Sequence, residues 1–364
     1  MSGSSYTETG VDTDLAASAA ASLGSILAAT ASFPDDAGQP MVENGYYASA
    51  LRLTDELALA VCTDGVGSKL LVAEAMGKYD TVGIDCIAMN VNDLICIGAK
   101  PITMVDYVGV EHLDAEVMAA VGRGLVEGAR QSSISIPGGE TAQLPEMIRG
   151  HQPGKGLDLV GTAVGVLPVD RVNCGKDVAP GDVVLGLASS GLHSNGYTLA
   201  RHALLEKGGL DLAAHHETLG RTVGEEMLEP TRIYVKEAMA LWESDVPVKA
   251  MLHITGDGLL NLTRVKSKVG WCLDTLPEPP AVFRLVQELG AVDIAEMYRV
   301  FNMGIGFCVV VAPQHVEAAQ TVLQTAGSES TVIGRAVAEP PETVQLPQHG
   351  LTGTGTAFQA SSSG

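Results

Sequence analysis

Short apolar runs with a period of two alternate along this chain with longer stretches of helical period. The Ala-rich stretch 15–31, which Asp12 or Asp14 can cap, reads as a helix ending before Pro34, and residues 33–49 (FPDDAGQPMVENGYYAS) read as loop. From Leu57, larger apolar residues alternate with Ala58, Ala60 and Cys62, which predicts a strand, and Leu70 to Met76 continue as a helix. Residues 80–98 form one long apolar run that predicts a buried helix, stopped by Gly98 and Pro101. A strand over 102–110, a helix over 114–131, and strands over 134–137 and 157–168 complete the first half. The polar, Gly- and Pro-containing passage from Pro168 to Gly181 marks a boundary. Beyond it the pattern predicts strands at 182–189, 248–254, 269–273, 304–312 and 330–338, with helices at 197–207, 232–244, 280–289 and 313–326. Both halves mix strands and helices, so the fold class is α/β (α+β) in two domains, 1–168 and 169–340. Residues 341–364, rich in Gly, Thr, Ser and Gln, read as a disordered tail.

Composition narrows the function. The 364 residues are 46% hydrophobic and 18% charged, enough apolar material for two compact cores. A formal charge of -21 excludes a nucleic-acid backbone as partner. It leaves small phosphorylated ligands open, because a local nest of N–H groups and a metal override the global field. The acid excess fits a high-salt habitat or an ordinary acidic cytoplasmic protein equally. Six cysteines without a CxxC pair, mostly in apolar runs, point to a reducing cytoplasm and no structural zinc. Glu8, Asp12 and Asp14 before the apolar stretch are the wrong flank for a signal peptide, and no run reaches the roughly 18 residues of a membrane span.

The chemistry concentrates around AVCTDGVGSKLL (60–71), a strand running into a turn and a helix. Gly65 and Gly67 let backbone N–H groups, with those of Val66 and Ser68, converge on one point, and Lys69 adds a cation, so the turn is suited to phosphate. Asp64 would repel a bare phosphate but hold a divalent cation that bridges to one. The spacing is not that of a Walker A loop. On the helix that follows, Asp85, Asn90, Asn92 and Asp93 interrupt an apolar sequence, and such groups are costly to bury unless paired or metal-bound. Asp93 is a natural companion to Asp64 around one cation; the plainer alternative is that these residues bridge neighbouring backbone. Asp106 and the segment Gly138-Gly139-Glu140-Thr141 fall near predicted strand ends, where α/β sheets gather ligands. Asp64, Asp106 and Glu140, three dispersed acids beside a Gly nest, therefore point to a Mg-ATP site. In the second half, SSGLHSNGY (189–197) offers Ser190, Gly191, His193, Ser194, Asn195 and Gly196, and HITGDG (253–258) offers His253, Thr255 and Gly256. Arg232 and Arg299 are candidate ligand clamps or simple ion-pair partners.

Taken together, TDGVGSK (63–69), GIDCIAMNVNDL (83–94), IPGGETA (136–142), SSGLHSNGY (189–197), PTRIYVK (230–236), HITGDG (253–258) and EMYRVFNMGIG (296–306) resemble, in order and spacing, the phosphoribosylformylglycinamidine cyclo-ligase family. YTETGVD (6–12) is similar to the family's opening motif. The resemblance implies homodimers whose N-terminal sheets pair into a barrel-like core. It implies a reaction of formylglycinamidine ribonucleotide with ATP and Mg²⁺ that gives aminoimidazole ribonucleotide, ADP and phosphate. It assigns Asp64, Asp93 and Glu140 to the metal, and Gly65, Gly67 and Lys69 to phosphate, with Val66, Ser68, Asn92, Gly138, Gly139 and Thr141 around the nucleotide. Lys69, Asp106, His193 and His253 are the catalytic candidates. Ser190, Gly191, Ser194, Asn195, Gly196, Arg232, Thr255 and Gly256 are the substrate candidates.

Two departures stand against the family pattern. Its Gly triplet after His-x-Thr is here Gly256-Asp257-Gly258, and its Gly-rich segment before the first strand is here NGYYAS (44–49). Relatives sharing the fold compete less well. No Cys precedes Cys62, as a selenophosphate synthetase would need, and the chain ends SSSG rather than in the Cys of a hydrogenase-maturation dehydratase. Thiamine-phosphate kinases lack MYRVFN. Formylglycinamidine ribonucleotide synthetase and a silent nucleotide-binding scaffold are the remaining alternatives.

Overall fold

The computed structural model describes Gly10, residues 13–42 and residues 45–361. Apart from Gly10, the YTETGVD motif lies outside these residues, as do Asp12 and Asn44. Helix α1 (Thr13–Leu27) forms where the Ala-rich stretch predicts it. The N-terminal half then builds a five-stranded sheet from β1 (Ser49–Arg52), β2 (Leu57–Gly65), β3 (Lys100–Val110), β4 (Gly139–Gln143) and β5 (Leu157–Pro168), in the order β1-β2-β5-β3-β4. All neighbours are antiparallel except β3 and β4.

Helices α2 (Leu70–Met76), α3 (Val82–Cys96) and α4 (Ala115–Ser132) belong to this half, and α3 covers one face of the sheet. That face carries small side chains: Ala58, Ala60 and Cys62 of β2 and Ala163 of β5 are buried, while Leu57 is 40% exposed. Small residues win the inner face because α3 lies close. A Cβ on Gly161 would come within 2.7 Å of Met104 Sδ and 2.8 Å of Asn90 Nδ2. Helices α3 and α4 touch just as closely, since a Cβ on Gly83 would sit 2.3 Å from the Leu125 nitrogen. Asp114 caps α4, accepting from the N–H groups of Glu116 (3.0 Å) and Val117 (3.3 Å).

The C-terminal half folds on an eight-stranded sheet. Its elements are β6 (Val183–Ala188), α5 (Tyr197–Arg201), the short pair β7 (His215–His216) and β8 (Arg221–Thr222), α6 (Val223–Met227), α7 (Val235–Trp242) and β9 (Val248–His253). They continue with β10 (Gly270–Cys272), α8 (Ala281–Gly290), α9 (Ile294–Val300), β11 (Ile305–Val311), α10 (Val316–Ala326), β12 (Ser330–Val337), β13 (Thr343–Leu346), β14 (Leu351–Thr354) and β15 (Ala357–Ala360). The sheet order is β15-β14-β13-β10-β12-β6-β11-β9, and every residue of β11 is buried.

Two expectations fail here. Residues 341–364 are not a disordered tail as far as residue 361: β13 to β15 extend the sheet, with Val344, Leu346, Leu351 and Phe358 buried. Polar composition hid a hairpin whose alternate residues pack inward. The strand expected at 134–137 is only a bridge between Ser135 and Thr103, and GGET itself forms β4. Gly139 permits this pairing, because a Cβ there would lie 2.5 Å from Asp106 Oδ1.

Candidate functional site

Helix α3 lies between the two halves, and three of its four polar residues reach across to the C-terminal one. Asp85 Oδ1 accepts from Lys69 Nζ (2.9 Å), the Thr231 N–H (2.7 Å) and Thr231 Oγ1 (2.6 Å). Asn90 donates to the Asp64 carbonyl (3.0 Å). Asn92 donates to the Arg232 carbonyl (2.9 Å) and accepts from the Tyr234 N–H (3.0 Å). Asp93 Oδ1 lies 2.8 Å from His253 Nδ1. A charged or amide group in an apolar helix is retained where it finds such partners, and here three of the four find them in the C-terminal half.

The outcome is a carboxylate pair at the junction. Asp64 is next to last in β2 with its side chain on the inner face of the sheet, and Asp93 reaches the same region from α3. Asp64 Oδ1 accepts from the Gly65 N–H (2.7 Å). Burial, then the neighbouring Asp93 charge, pushes the Asp64 carboxyl from 3.8 up to about 6, against the opposing pull of the Gly65 N–H, His253 and Arg264. His253 is fully buried; with Nδ1 on Asp93 and Nε2 3.5 Å from Asn92 Nδ2, it holds Asp93 in place from the C-terminal sheet. Cys62 Sγ lies 3.9 Å from the second Asp93 oxygen, and burial raises its thiol far above the ordinary range, so it stays neutral.

Loops from the C-terminal half contact the segments that carry this pair. Ser194 Oγ donates to the Val66 carbonyl (2.8 Å), tying SSGLHSNGY to TDGVGSK, and Ser68 Oγ pairs with Thr198 Oγ1 (3.2 Å). Asn195 reaches Met89 of α3 on one side and faces Gly256 on the other, where a Cβ would lie 3.5 Å from its Oδ1. The HITGDG turn is held by Asn261, whose Oδ1 accepts from the Thr255 N–H (2.6 Å). Gly258 (φ +54°) packs against α9, and a Cβ there would fall 2.0 Å from the Tyr298 carbonyl oxygen. Asn302, just after α9, donates to the Gly191 carbonyl (2.8 Å). EMYRVFN thus braces both loops.

Two models of the AIR synthase related protein family match the chain, the N-terminal domain over residues 45–167 and the C-terminal domain over 179–347. A phosphoribosylformylglycinamidine cyclo-ligase of Methanothermobacter thermautotrophicus is 51% identical over 320 residues, 87% of this chain and 90% of that one. The corresponding protein of Thermococcus kodakarensis is 46% identical over 336 residues, 92% of this chain and 96% of that one. The chain belongs to the phosphoribosylformylglycinamidine cyclo-ligase family. Among solved structures it is similar to a thiamine-monophosphate kinase from Stenotrophomonas maltophilia, with a TM-score of 0.60 at 22% identity, covering 86% of this chain and 92% of that one. It is also similar to the hydrogenase maturation protein HypE in complex with ATP, with a TM-score of 0.59 at 18% identity, covering 86% and 88%. At these identities the likeness shows the fold alone.

Several residues expected at this junction lie elsewhere. Lys69 is fully buried; besides Asp85 it donates to the His193 carbonyl (3.0 Å) and the Glu229 carbonyl (2.6 Å), so all three of its donors are engaged away from any phosphate. Burial lowers the Lys69 ammonium and raises the Asp85 carboxyl, as expected where desolvation outweighs attraction. Asn92 and Arg232 are likewise structural. The Arg232 guanidinium bonds the Ala188 carbonyl (3.3 Å), Glu237 (3.3 Å) and Ser328.

The expected trio Asp64, Asp93 and Glu140 is not assembled in this chain. Asp64, Gly161, Asp106 and Gly139 form one transverse row, so GGET stands three strand spacings, about 14 Å, from Asp64. Glu140 pairs with Tyr107, one residue out of that row, and therefore projects from the opposite face. Among the described residues no group of three or more His, Cys, Asp or Glu side chains is arranged to hold a metal ion. Gly138, Gly139 and Thr141 go with Glu140 to this edge strand, and Asp106 is half-buried beside Gly139, where burial raises its carboxyl.

Other expected residues sit beside the site without facing it. His193, at φ +61°, is buried, and its Nε2 accepts from the Ser190 N–H (3.2 Å) while its Nδ1 has no partner. Burial, then the charges of His253, Lys69 and Arg232, push the imidazole well below 6.5, so it is neutral at physiological pH. Ser190 Oγ is held by the Pro230 carbonyl (2.6 Å). The Gly65 N–H serves Asp64 and the Val66 N–H bonds the Leu159 carbonyl (3.0 Å), so the phosphate nest shrinks to the turn Gly67–Lys69, opened by Gly67 at φ +71°. Gly196 starts α5 at φ +72°. Sequence reasoning missed Asn261 and Arg264, which meet at Asp257; Tyr47, from the NGYYAS segment, packs against Arg264. No local motif marks them.

Proposed function

We propose that this member of the family closes the imidazole ring of aminoimidazole ribonucleotide at the junction of its two halves, consuming ATP at the Asp64–Asp93 pair. The observation that carries this reading is the pair itself: two carboxylates from different elements, one oriented by a histidine of the other domain, beside the TDGVGSK turn that Ser194 of the C-terminal half contacts. The formyl oxygen of formylglycinamidine ribonucleotide attacks the γ-phosphorus, the bond from phosphorus to the β,γ-bridging oxygen breaks, and ADP leaves. An internal nitrogen then attacks the activated carbon and phosphate departs with the former formyl oxygen. Closure is intramolecular, so the protein's contribution is orientation, charge stabilisation and exclusion of water.

Asp64 and Asp93 fit a magnesium ion, since an oxygen-only donor set of one or two carboxylates is what this cation takes beside nucleotide phosphates. When bound, it supplies charge neutralisation on those phosphates. Asn195, Thr255 and Gly256 line the side facing the ribonucleotide. His253 keeps the Asp93 carboxylate aimed, and neutral His193 shapes the loop through its carbonyl.

The outer face of the five-stranded sheet supports a homodimer. Leu57 (40%), Ile102 (41%) and Val105 (44%) are exposed there beside half-buried Leu59, Val61, Val160, Val164 and Val166. A second copy of this chain would cover that apolar surface. Six unpaired thiols fit a reducing cytoplasm, and no helix among the described residues is long and apolar enough to cross a membrane.

The test is turnover of formylglycinamidine ribonucleotide with Mg-ATP, following the ring product for wild type, Asp64→Asn and Asp93→Asn. Both variants should lose at least 100-fold in kcat, about the effect of removing one group that stabilises transferring charge. Wild type that consumes ATP with thiamine phosphate and not with this substrate would sink the reading.

A further inference from the structure

With Lys69 locked onto Asp85, the phosphoryl site lacks the cation that TDGVGSK promises. The structure brings another one. Arg264 ends the helical turn Gly258–Arg264 that follows HITGDG, and its guanidinium carbon lies 4.9 Å over the ring of Tyr47. One of its terminal nitrogens donates to Asp257 Oδ2 at 2.8 Å. Its side chain is 30% exposed, and its charge acts on both Asp64 and Asp93.

The two places where this chain departs from the family pattern therefore meet. Asp257 stands in the Gly triplet and Tyr47 in the NGYYAS segment, and both hold the same guanidinium. Tyr47 is buried and its hydroxyl reaches the Asn261 carbonyl (3.4 Å). Asn261 in turn holds the Thr255 N–H and approaches Asp257 through its amide (3.4 Å). A guanidinium clamped on its face and on one corner loses little further freedom on binding a ligand. It carries five donors in a planar fork suited to phosphoryl oxygens, and the Asp257 contact occupies one nitrogen.

We propose that Arg264 is the phosphoryl-binding cation of this site, stabilising the group in transfer from ATP to the formyl oxygen, and that Asp257 and Tyr47 are its positioning residues. The inference rests on the ring-closing reading given above. In the step it serves, the oxygen–phosphorus bond to the substrate forms as the bond to the bridging oxygen of ADP breaks. Negative charge spreads over the three remaining oxygens of the transferring group, where a fixed guanidinium binds the transition state more tightly than the ground state.

Initial rates with formylglycinamidine ribonucleotide and Mg-ATP decide it, measured on the full chain for wild type, Arg264→Ala, Arg264→Lys, Asp257→Gly and Arg264→Ala/Asp257→Gly, each with its melting curve. Arg264→Ala should lower kcat by about 10²–10³-fold with the KM for ATP changed by less than about threefold. Arg264→Lys should stay within about tenfold of Arg264→Ala, because an ammonium lacks the fork. Asp257→Gly should lose less than about tenfold, and the double variant should match Arg264→Ala. Equal losses in Arg264→Ala and Asp257→Gly would reduce the pair to a brace for the turn and overturn the assignment, as would an effect confined to KM. If Arg264→Ala does not fold, Arg264→Lys decides: kcat within threefold of wild type overturns the proposal. Wild type without ring product overturns the function itself, whereas product from wild type with an unaffected Arg264→Ala overturns this assignment alone.

Discussion

Asp64→Asn should make the metal-free protein more stable while removing its activity. The folded chain raises the Asp64 carboxyl from 3.8 to about 6 through burial and the Asp93 charge. At about 1.4 kcal/mol per tenfold, the ionised form is disfavoured by about 3 kcal/mol. Asparagine keeps the acceptor for the Gly65 N–H, now 2.7 Å from Asp64 Oδ1, and removes the charge. The sign follows from which form the fold prefers. Because the folded carboxyl titrates above the unfolded one, the native state favours the proton: the penalty is absent below about pH 4, grows between about 4 and 6, and is constant above. Urea denaturation in EDTA at pH 4, 5, 6 and 8, followed through the transition of the N-terminal half, should give a variant up to about 3 kcal/mol more stable at pH 8 and equal to wild type at pH 4. Equal stabilities at pH 8, or a less stable variant, would refute the raised Asp64 carboxyl that burial and the Asp93 charge produce, and with it the reason to place a cation there.

Three further outcomes probe the frame around the site. Lys69→Met strands the Asp85 carboxylate in the core and should cost about 3–5 kcal/mol in chemical denaturation, and Lys69→Met/Asp85→Leu should recover much of it; a loss of activity without loss of stability would return Lys69 to the phosphate. Gly258→Ala sets a Cβ 2.0 Å from the Tyr298 carbonyl oxygen at φ +54°, and should cost about 3 kcal/mol or more by thermal melting; a cost below about 0.5 kcal/mol would show that α9 does not brace the turn. Val105→Asp on the exposed sheet face should halve the mass seen by light scattering, and a wild type already of single-chain mass would remove the homodimer.

Periodicity by itself determined the mixed fold, the buried helix α3 and most strands, because apolar spacing is a local property that tertiary contacts seldom reverse. Motif order determined the family and pointed to Asp64, Asp93 and His253. What each polar residue does was decided only in three dimensions. Lys69 follows a Gly turn as a phosphate lysine would, yet the core behind it contains Asp85, sixteen residues on, and the closer partner wins. Glu140 looks like a third ligand until pairing register sets it on the other face of the sheet, since a shift of one residue reverses a side chain. The last strands escaped notice because a Gly- and Thr-rich hairpin has little hydrophobic signal of its own and is ordered by the sheet edge it joins. Arg264 was invisible for the same reason: its meaning comes from Tyr47 and Asp257, one distant in sequence and one near, and only folding brings a ring, a carboxylate and a guanidinium to the same point.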